Sequence, residues 1–334
     1  MVNQRIILVS RPEGLPKESD FRLVESEIAT MTDGDVLVET LYLSVDPYMR
    51  GLLREKGTYF QPVELGGVMM GEGVGRVIRT NSTTFREGDI VAGMTGWQRY
   101  ALLPANGLRK VDPALAPIST ALGVLGMPGL TAYFGLLDIC APKAGETVFV
   151  SGAAGAVGSI AGQIAKIQGC RAVGSAGSDE KVSLLVNEFG FDSAFNYKKE
   201  PDLAAALRKH CPKGIDIYFD NVGGPMTDAV FPQLNTFARV SVCGQIDQYN
   251  DQKASTGPRL LWHLIVKQAK AQGFLIMQYA PRFREAIPVM AQWLREGKLK
   301  YRETVVQGIE NTPRAFIGLF HGDNVGKMLV KVAD

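Results

Sequence analysis

Histidine and cysteine are scarce in this chain of 334 residues, and each scarcity excludes a kind of chemistry. None of the three histidines, His210, His263 and His321, has a cysteine at metal-ligand spacing. The four cysteines, Cys140, Cys170, Cys211 and Cys243, lie 30, 41 and 32 residues apart, which matches neither a zinc site nor the framework of a small secreted domain. They read as unpaired, mostly buried thiols, and ligand supply alone sets a catalytic zinc aside. Runs of like charge are also missing: 36 Lys and Arg face 34 Asp and Glu, with no basic run of five, so a nucleic-acid partner has no support. Nor is there an unbroken apolar span. Pro113 to Leu137 lacks charge but carries Pro117, Pro128, Gly123, Gly126, Gly129 and Gly135, which predicts a buried inter-domain segment rather than a membrane helix. The apolar run Ile6 to Val9 is too short for a signal-peptide core, so a cytoplasmic location is expected.

What is present is an ordinary globular composition, 46% hydrophobic and 21% charged, over a length that suits two domains. Before residue 120 short apolar or alternating runs such as Val36 to Leu43 stand between Gly, Asp, Asn and Pro clusters, which predicts a mainly β region. Its dense glycine stretch, Gly66 to Gly75, suits tight bends of a small barrel. From 123 to about 297 strand-like and helix-like runs alternate at βαβ spacing, predicting a parallel sheet with helices on both faces. Informative strand ends are expected after Asp216–Phe219, after Arg239–Cys243 and after Gly273–Ile276. After about 300 the pattern returns to strands, with Met328 to Val332 near the end, and the last segment is expected to rejoin the first domain.

The most informative segment is Val148 to Gly158, VFVSGAAGAVG, an apolar strand breaking into a glycine turn and then a helical pattern. A strand that delivers such a turn to a helix N-terminus gathers unpaired amides and a positive dipole end in one place, which suits a pyrophosphate. Gly155 would admit the phosphates, and Gly158 would let the helix lie close to the sheet. Ala153 replaces the first glycine of the usual fingerprint, so the turn alone is a modest signal. The context supplies the rest: Val157, Ile160, Ala161, Ile164 and Ala165 form a core-facing stripe ending at Gly169, and a second strand follows at Arg171–Ala176. The tip of that strand, Ser175-Ala176-Gly177-Ser178, lacks the acid that binds the ribose of NAD, and Lys181 stands one turn on, so NADP is favoured. Asp179 is the counter-evidence, although a helix-start carboxylate reads it equally well.

With these residues in hand the chain resembles the zinc-independent medium-chain dehydrogenases/reductases, the branch of prostaglandin reductases (leukotriene B4 12-hydroxydehydrogenases), plant double-bond reductases and bacterial curcumin reductase. The resemblance is carried by Val45-Asp46-Pro47-Tyr48-Met49-Arg50-Gly51, Gly126 to Leu136, Ala153 to Gly158, Gly177 to Lys181, Phe219 to Gly224, and Gly322-Asp323-Asn324-Val325-Gly326-Lys327. It implies an α/β chain in which a GroES-like β-barrel domain, 1–122 plus 300–334, is interrupted by a Rossmann domain, 123–299, with its doubly wound parallel sheet. It also implies a homodimer, NADPH as hydride donor and a small enal or enone as substrate. Metal-dependent relatives carry Gly-His-Glu where this chain has Met70-Gly71-Glu72.

Reducing an activated C=C needs a hydride at the β-carbon and a group that stabilises charge on the carbonyl oxygen. Without zinc that group is a hydroxyl, an amide or the cofactor ribose, and a tyrosine with a pKa near 10 stays protonated to donate. The resemblance assigns this to Tyr249, the catalytic candidate, with interface packing as the plainer reading, and gives Tyr48 and Tyr59 as substrate contacts. It puts Ala154, Gly155, Ala156 and Val157 on the pyrophosphate, Lys181 and Tyr197 near the 2′-phosphate, and Asn221 by the ribose or nicotinamide. Cys243, Gly244, Gln245, Ile246, Tyr249, Phe274, Leu275, Ile276 and Asn324 would close over the nicotinamide half, although Phe274 to Ile276 also read as plain core strand. His321 is expected to pack in a loop. The expected activity is NADPH-dependent reduction of the C=C bond of α,β-unsaturated aldehydes and ketones. The rivals are a quinone reductase of the same superfamily and a non-catalytic NADPH-binding protein.

Overall fold

The computed structural model describes residues 1–56 and 60–334, and the chain divides into two units, Met1–Gly123 with Glu303–Asp334, and Val124–Arg302. The first piece supplies β1 (Val2–Leu8), β2 (Phe21–Glu27), β3 (Asp35–Ser44), β4 (Gly73–Thr80), β5 (Ile90–Gly93), β6 (Tyr100–Pro104) and β7 (Leu108–Lys110). The second unit alternates α1 (Met127–Leu137), β8 (Thr147–Val150), α2 (Gly158–Ile167), β9 (Arg171–Ala176), α3 (Asp179–Asn187), β10 (Ser193–Asn196), α4 (Leu203–His210), β11 (Ile215–Asp220), α5 (Gly224–Val230), β12 (Leu234–Val242), α6 (Leu261–Lys267), β13 (Lys270–Gly273) and α7 (Phe283–Arg295). The chain closes with β14 (Glu303–Gln307), α8 (Thr312–His321) and β15 (Lys327–Lys331).

In the first unit the C-terminal piece joins the N-terminal one by direct strand pairing. The sheet runs β14-β15-β3-β4-β5-β7, with β15 antiparallel to β3 through Leu329 opposite Ser44, and β6 also pairs with β3. A separate pair, β1 with β2, covers an aromatic core in which Trp97 lies 5.6 Å from Phe21 and 5.8 Å from Phe316. Gly73 and Gly75 serve a different purpose from the bends expected of them. Both are strand residues in β4, and a Cβ on Gly75 would stand 2.2 Å from the Glu39 carbonyl oxygen, so close strand approach is what demands glycine there.

Beyond residue 300 the expectation of strands alone was incomplete. Thr312–His321 is a helix opened by Pro313, buried along Ala315, Phe316 and Leu319, and closed by Gly322 at φ 76°. His321 is the exposed last residue of that helix, not a packed loop residue, and its ring sits where a basic side chain meets the negative dipole end.

The second unit holds six parallel strands in the order β10-β9-β8-β11-β12-β13, so the chain reverses direction across the sheet between β8 and β11. Crevices at such reversals are where doubly wound sheets bind ligands. The central β8 is buried at every residue, as a strand covered on both faces must be. The strand expected over Gly273–Ile276 lies earlier: β13 spans Lys270–Gly273 and is exposed throughout, because it is the sheet edge with β12 as its one neighbour. Phe274 to Ile276 therefore follow the strand rather than filling its core, and Leu275 is 48% exposed. Among the described residues no helix is long and apolar enough to cross a membrane; the uncharged stretch folds into a short 3-10 turn, Ile118–Leu122, and α1.

Close packing in this unit lies under α2, where Cβ atoms on Gly158 and Gly162 would fall 2.4 Å from the Gly152 carbonyl oxygen and 1.9 Å from the Phe191 ring. Alanine at position 162 gains about 1 kcal/mol of helix propensity, but overpacking a core costs about 1–3 kcal/mol and the Phe191 ring is 2% exposed, so the clash wins. Gly162→Ala is expected to lower the urea midpoint; an unchanged or raised midpoint would contradict this packing.

Candidate active site

Four parallel strands end in one row. Register places Val150 beside Phe219, Asp220 beside Val242, and Val242 beside Gly273, so the segments beginning at Ser151, Asn221, Cys243 and Phe274 leave from the same end of the sheet. The turn after β8 starts with Gly152 at φ 58°, and Ala153 N–H donates to the Ser175 carbonyl at 2.9 Å, tying it to β9. Helix α2 then begins with no side-chain cap and no acid in its first turn, so its leading amides and positive dipole end face the turn. A Cβ on Gly155 would meet only the Gly152 carbonyl oxygen, at 3.3 Å, which leaves the rest of that side open to a close ligand. Ala154, Ala156 and Val157 flank it. A backbone cradle of this kind fits a pyrophosphate.

At the tip of β9 the open question about Asp179 resolves in favour of the helix start. Ser178 is the N-cap of α3 and its hydroxyl accepts from the Lys181 amide at 3.3 Å. Asp179 accepts from Asn196 at 2.8 Å and pairs with Lys199, and these contacts hold its carboxyl below the usual carboxylate range. Lys181 is half-buried on the same turn. The Tyr197 hydroxyl lies 3.3 Å from the position a Gly177 Cβ would take; burial, with Asp247 adding to it, raises its phenol pKa and keeps it a donor. The Lys198 side chain comes equally near Gly177, a second cation at this corner that sequence reasoning missed. Hydroxyls and ammonium groups, with Asp179 engaged by Asn196 and Lys199, fit a phosphate monoester.

Asp220 at the end of β11 was also missed. Its carboxylate is 1% exposed and has no ion-pair partner among the described residues. Instead Oδ1 accepts from the Tyr218 hydroxyl at 2.8 Å, the Ser151 hydroxyl at 3.2 Å and the Val222 and Gly223 amides at 3.0 and 2.9 Å, and Oδ2 accepts from Thr227 at 2.7 Å. Such donors are what a buried carboxylate requires. Asn221 spends its amide protons on the Ser151 carbonyl at 2.8 Å.

The segment after β12 hangs from the same place. Cys243 and Gly244 amides donate to the Asp220 carbonyl at 2.8 and 3.0 Å, and a 3-10 turn, Ile246–Gln248, brings Tyr249 back over Gly244. The Tyr249 oxygen accepts from the Gln245 amide at 3.4 Å and would stand 3.1 Å from a Gly244 Cβ. Burial raises the Tyr249 phenol above its ordinary value; the Gln245 amide opposes the shift, while Cys243 and Asp220 add to it. The hydroxyl is therefore protonated at neutral pH and able to donate. Phe274 turns toward α1, its ring tip 2.6 Å from the position of a Gly135 Cβ, and Ile276 packs with Leu130 and Phe134.

In the first unit Tyr48 sits on a 3-10 helix, Pro47–Leu53, with its ring 5.4 Å from Phe60. Asp46 precedes that helix without a side-chain capping bond and pairs instead with Lys327 at 2.9 Å, both side chains below a tenth exposed. Asn324, also in this unit, donates to the Gly326 carbonyl at 2.7 Å. Tyr59 lies outside the described residues. Glu72, raised by burial, is paired to Arg109 at 3.2 Å, and among the described residues no three His, Cys, Asp or Glu side chains converge.

Burial pushes the thiols of Cys140, Cys211 and Cys243 up to about 12 and that of Cys170 up to about 11. Fewer than about one thiol in a thousand is then ionised at pH 8, against a sizeable fraction for an ordinary cysteine. The native protein is expected to resist iodoacetamide at pH 8 and to expose four reactive thiols on unfolding; one rapidly labelled native thiol would contradict these environments.

Comparison with known proteins shows the family. Residues 4–111 match a family described as the N-terminal domain of oxidoreductase, and residues 156–292 one described as zinc-binding dehydrogenase. The NADPH-dependent curcumin reductase of Escherichia coli is 46% identical over 336 residues, 99% of this chain and 97% of its own. The NADP(+)-dependent 2-alkenal reductase of Nicotiana tabacum is 45% identical over 336 residues, 99% and 98% of the two chains. The crystal structure of CurA in complex with NADPH from Vibrio vulnificus matches with a TM-score of 0.94 at 45% identity, covering 99% of both chains. The zinc in the second description does not fit here, because Glu72 is committed to Arg109 and the described residues bring no donor set together. The chain belongs to the medium-chain dehydrogenase/reductase family, in its branch of curcumin and 2-alkenal reductases.

Proposed function

We propose that this protein is an NADPH-dependent reductase of the C=C bond of α,β-unsaturated aldehydes and ketones. The observation that carries the reading is the Tyr249 hydroxyl held over Gly244, in the row of strand ends that also bears the glycine turn. Ala154 to Val157 bind the pyrophosphate through backbone amides, Lys181 and Tyr197 take the 2′-phosphate, and Asn221 offers its side-chain oxygen to the ribose or nicotinamide. Cys243 to Ile246, Phe274 to Ile276 and Asn324 enclose the nicotinamide half, and Tyr48 contacts substrate. NADPH, when bound, supplies the hydride that reaches the β-carbon. Tyr249 donates a hydrogen bond to the carbonyl oxygen as negative charge gathers there, with the cofactor ribose hydroxyl beside it. The α-carbon then takes its proton from Tyr249 or water. The curcumin and 2-alkenal reductases named above support this substrate class.

We further propose a homodimer working in the cytoplasm. The edge strand β13 leaves a row of backbone groups open, and α6 turns Leu261, Trp262, Ile265 and Val266 outward at 75%, 65%, 69% and 52% exposure. An open edge flanked by apolar side chains is a surface that a second copy would cover. The unpaired thiols suit a reducing compartment.

With a panel of 2-alkenals and enones the protein is expected to oxidise NADPH in preference to NADH and to yield the saturated carbonyl. Tyr249→Phe should lower kcat about 10- to 100-fold with the KM for NADPH kept. Turnover only with quinones would assign the rival activity, and unchanged turnover in Tyr249→Phe would give the donor role to the ribose hydroxyl and water. By sedimentation the wild type should be a dimer and Trp262→Glu a monomer; a monomeric wild type would refute the interface.

A further inference from the structure

Ser151 follows β8 and Gly244 follows β12, yet the carboxylate and carbonyl of Asp220, the last residue of β11, hold both. The side chain of Asp220 takes the Ser151 hydroxyl, at the first step of the glycine turn, while its backbone carbonyl takes the Cys243 and Gly244 amides that lead to Tyr249. The next two carbonyls continue the attachment: Asn221 accepts from the Ile246 amide at 3.4 Å and Val222 from the Asp247 amide at 3.1 Å. The backbone of this stretch is in turn fixed by the carboxylate, through the Val222 and Gly223 amides, and Ser151 returns a bond by accepting from the Asn221 amide at 3.1 Å.

We propose that Asp220 is a positioning residue that sets the glycine turn and the Tyr249 turn at a fixed spacing, so that a bound cofactor and the Tyr249 hydroxyl meet one substrate. The buried carboxylate suits this task for a physical reason. It is an acceptor only, so every group around it must be a donor, and Tyr218, Ser151 and Thr227 are each oriented by that demand. A neutral group there would leave Tyr218, buried at 0% exposure, and two backbone amides competing for weaker acceptors. Tyr218 does not itself reach the site; its hydroxyl serves the carboxylate and is 3.2 Å from Ser151.

The inference rests on the reductase reading, with Tyr249 as donor, and a double-mutant cycle separates the two. Asp220→Ala should lower kcat by up to about a hundredfold, the scale of a displacement near 1 Å, and raise the KM for NADPH. In a Tyr249→Phe background the same change should still raise the KM for NADPH but leave kcat where Tyr249→Phe already put it, because there is no hydroxyl left to misplace. Asp220→Asn, which keeps one weaker acceptor oxygen but brings an NH2 group among the donors, should fall between wild type and Asp220→Ala in kcat. If Asp220→Ala does not fold, Ser151→Ala removes the side-chain link to the glycine turn, and with it the acceptor of the Asn221 amide, while leaving the carboxylate in place, and should show the same non-additivity with a smaller loss. A wild type inactive on every enone would overturn the reductase reading. With an active wild type, an unaffected Tyr249→Phe removes the group on which Asp220 is proposed to act and overturns the inference. A slow Tyr249→Phe whose kcat loss multiplies with that of Asp220→Ala or Ser151→Ala would overturn the role of Asp220 alone.

Discussion

Where α2 crosses β8 and β9 there is no room for side chains, and the second unit is built around that constraint. A Cβ on Gly158, Gly162 or Gly174 would fall at 2.4, 1.9 or 2.7 Å from its neighbours, so the helix rests directly on the turn and on the Phe191 ring. Close contact brings the uncapped helix start to the end of the sheet, where the strand order reverses between β8 and β11. An anion site made of backbone needs no titrating side chain, and its affinity for phosphate depends on that approach being kept.

A second constraint sits one strand away. Asp220 is a carboxylate buried without an ion-pair partner among the described residues, and five donors surround it, from Ser151 after β8, Tyr218 of β11, the Val222 and Gly223 amides and Thr227 of α5. Desolvation makes such a carboxylate intolerant of movement, because each donor lost leaves a costly unpaired oxygen. The same low-dielectric surroundings raise Tyr249 and Cys243, so this end of the sheet offers a neutral hydroxyl donor and an inert thiol. In the proposed reaction the phenol of Tyr249 polarises the carbonyl, a task for which a hydrogen-bond donor suffices without a metal.

Local periodicity made much of this legible. Ile160, Ala161, Ile164 and Ala165 of the expected stripe are buried in α2, but so are Gly158, Ser159, Gly162 and Gln163 between them, and Val157 precedes the helix half-buried; Arg171–Ala176 is β9 residue for residue, a pattern that depends on neighbours a few positions apart. Edge and terminal elements were harder. β13 carries Lys270 and Gln272 with no buried face, so the apolar Phe274 to Ile276 drew the expectation onto residues that follow the strand. α8 is short, starts with Thr-Pro and lies between strands, which hid its single buried stripe. Asp220 fell inside a marked strand end, but nothing singled out its side chain: its partners Ser151 and Thr227 are separated from it by 69 and 7 positions, and the fold makes them neighbours. At the tip of β9, Asp179 read as evidence against NADP until Asn196 and Lys199 were seen to occupy it.

The central claim is that a hydride from NADPH reaches the β-carbon of an enone whose oxygen is held by a protonated tyrosine. Deuterium label at the transferable C4 position of NADPH tests it most directly, with a 2-alkenal as substrate and NMR of the product. The account predicts a saturated aldehyde carrying deuterium at the β-carbon. Deuterium at C1 of an allylic alcohol, or a product without deuterium, would contradict it.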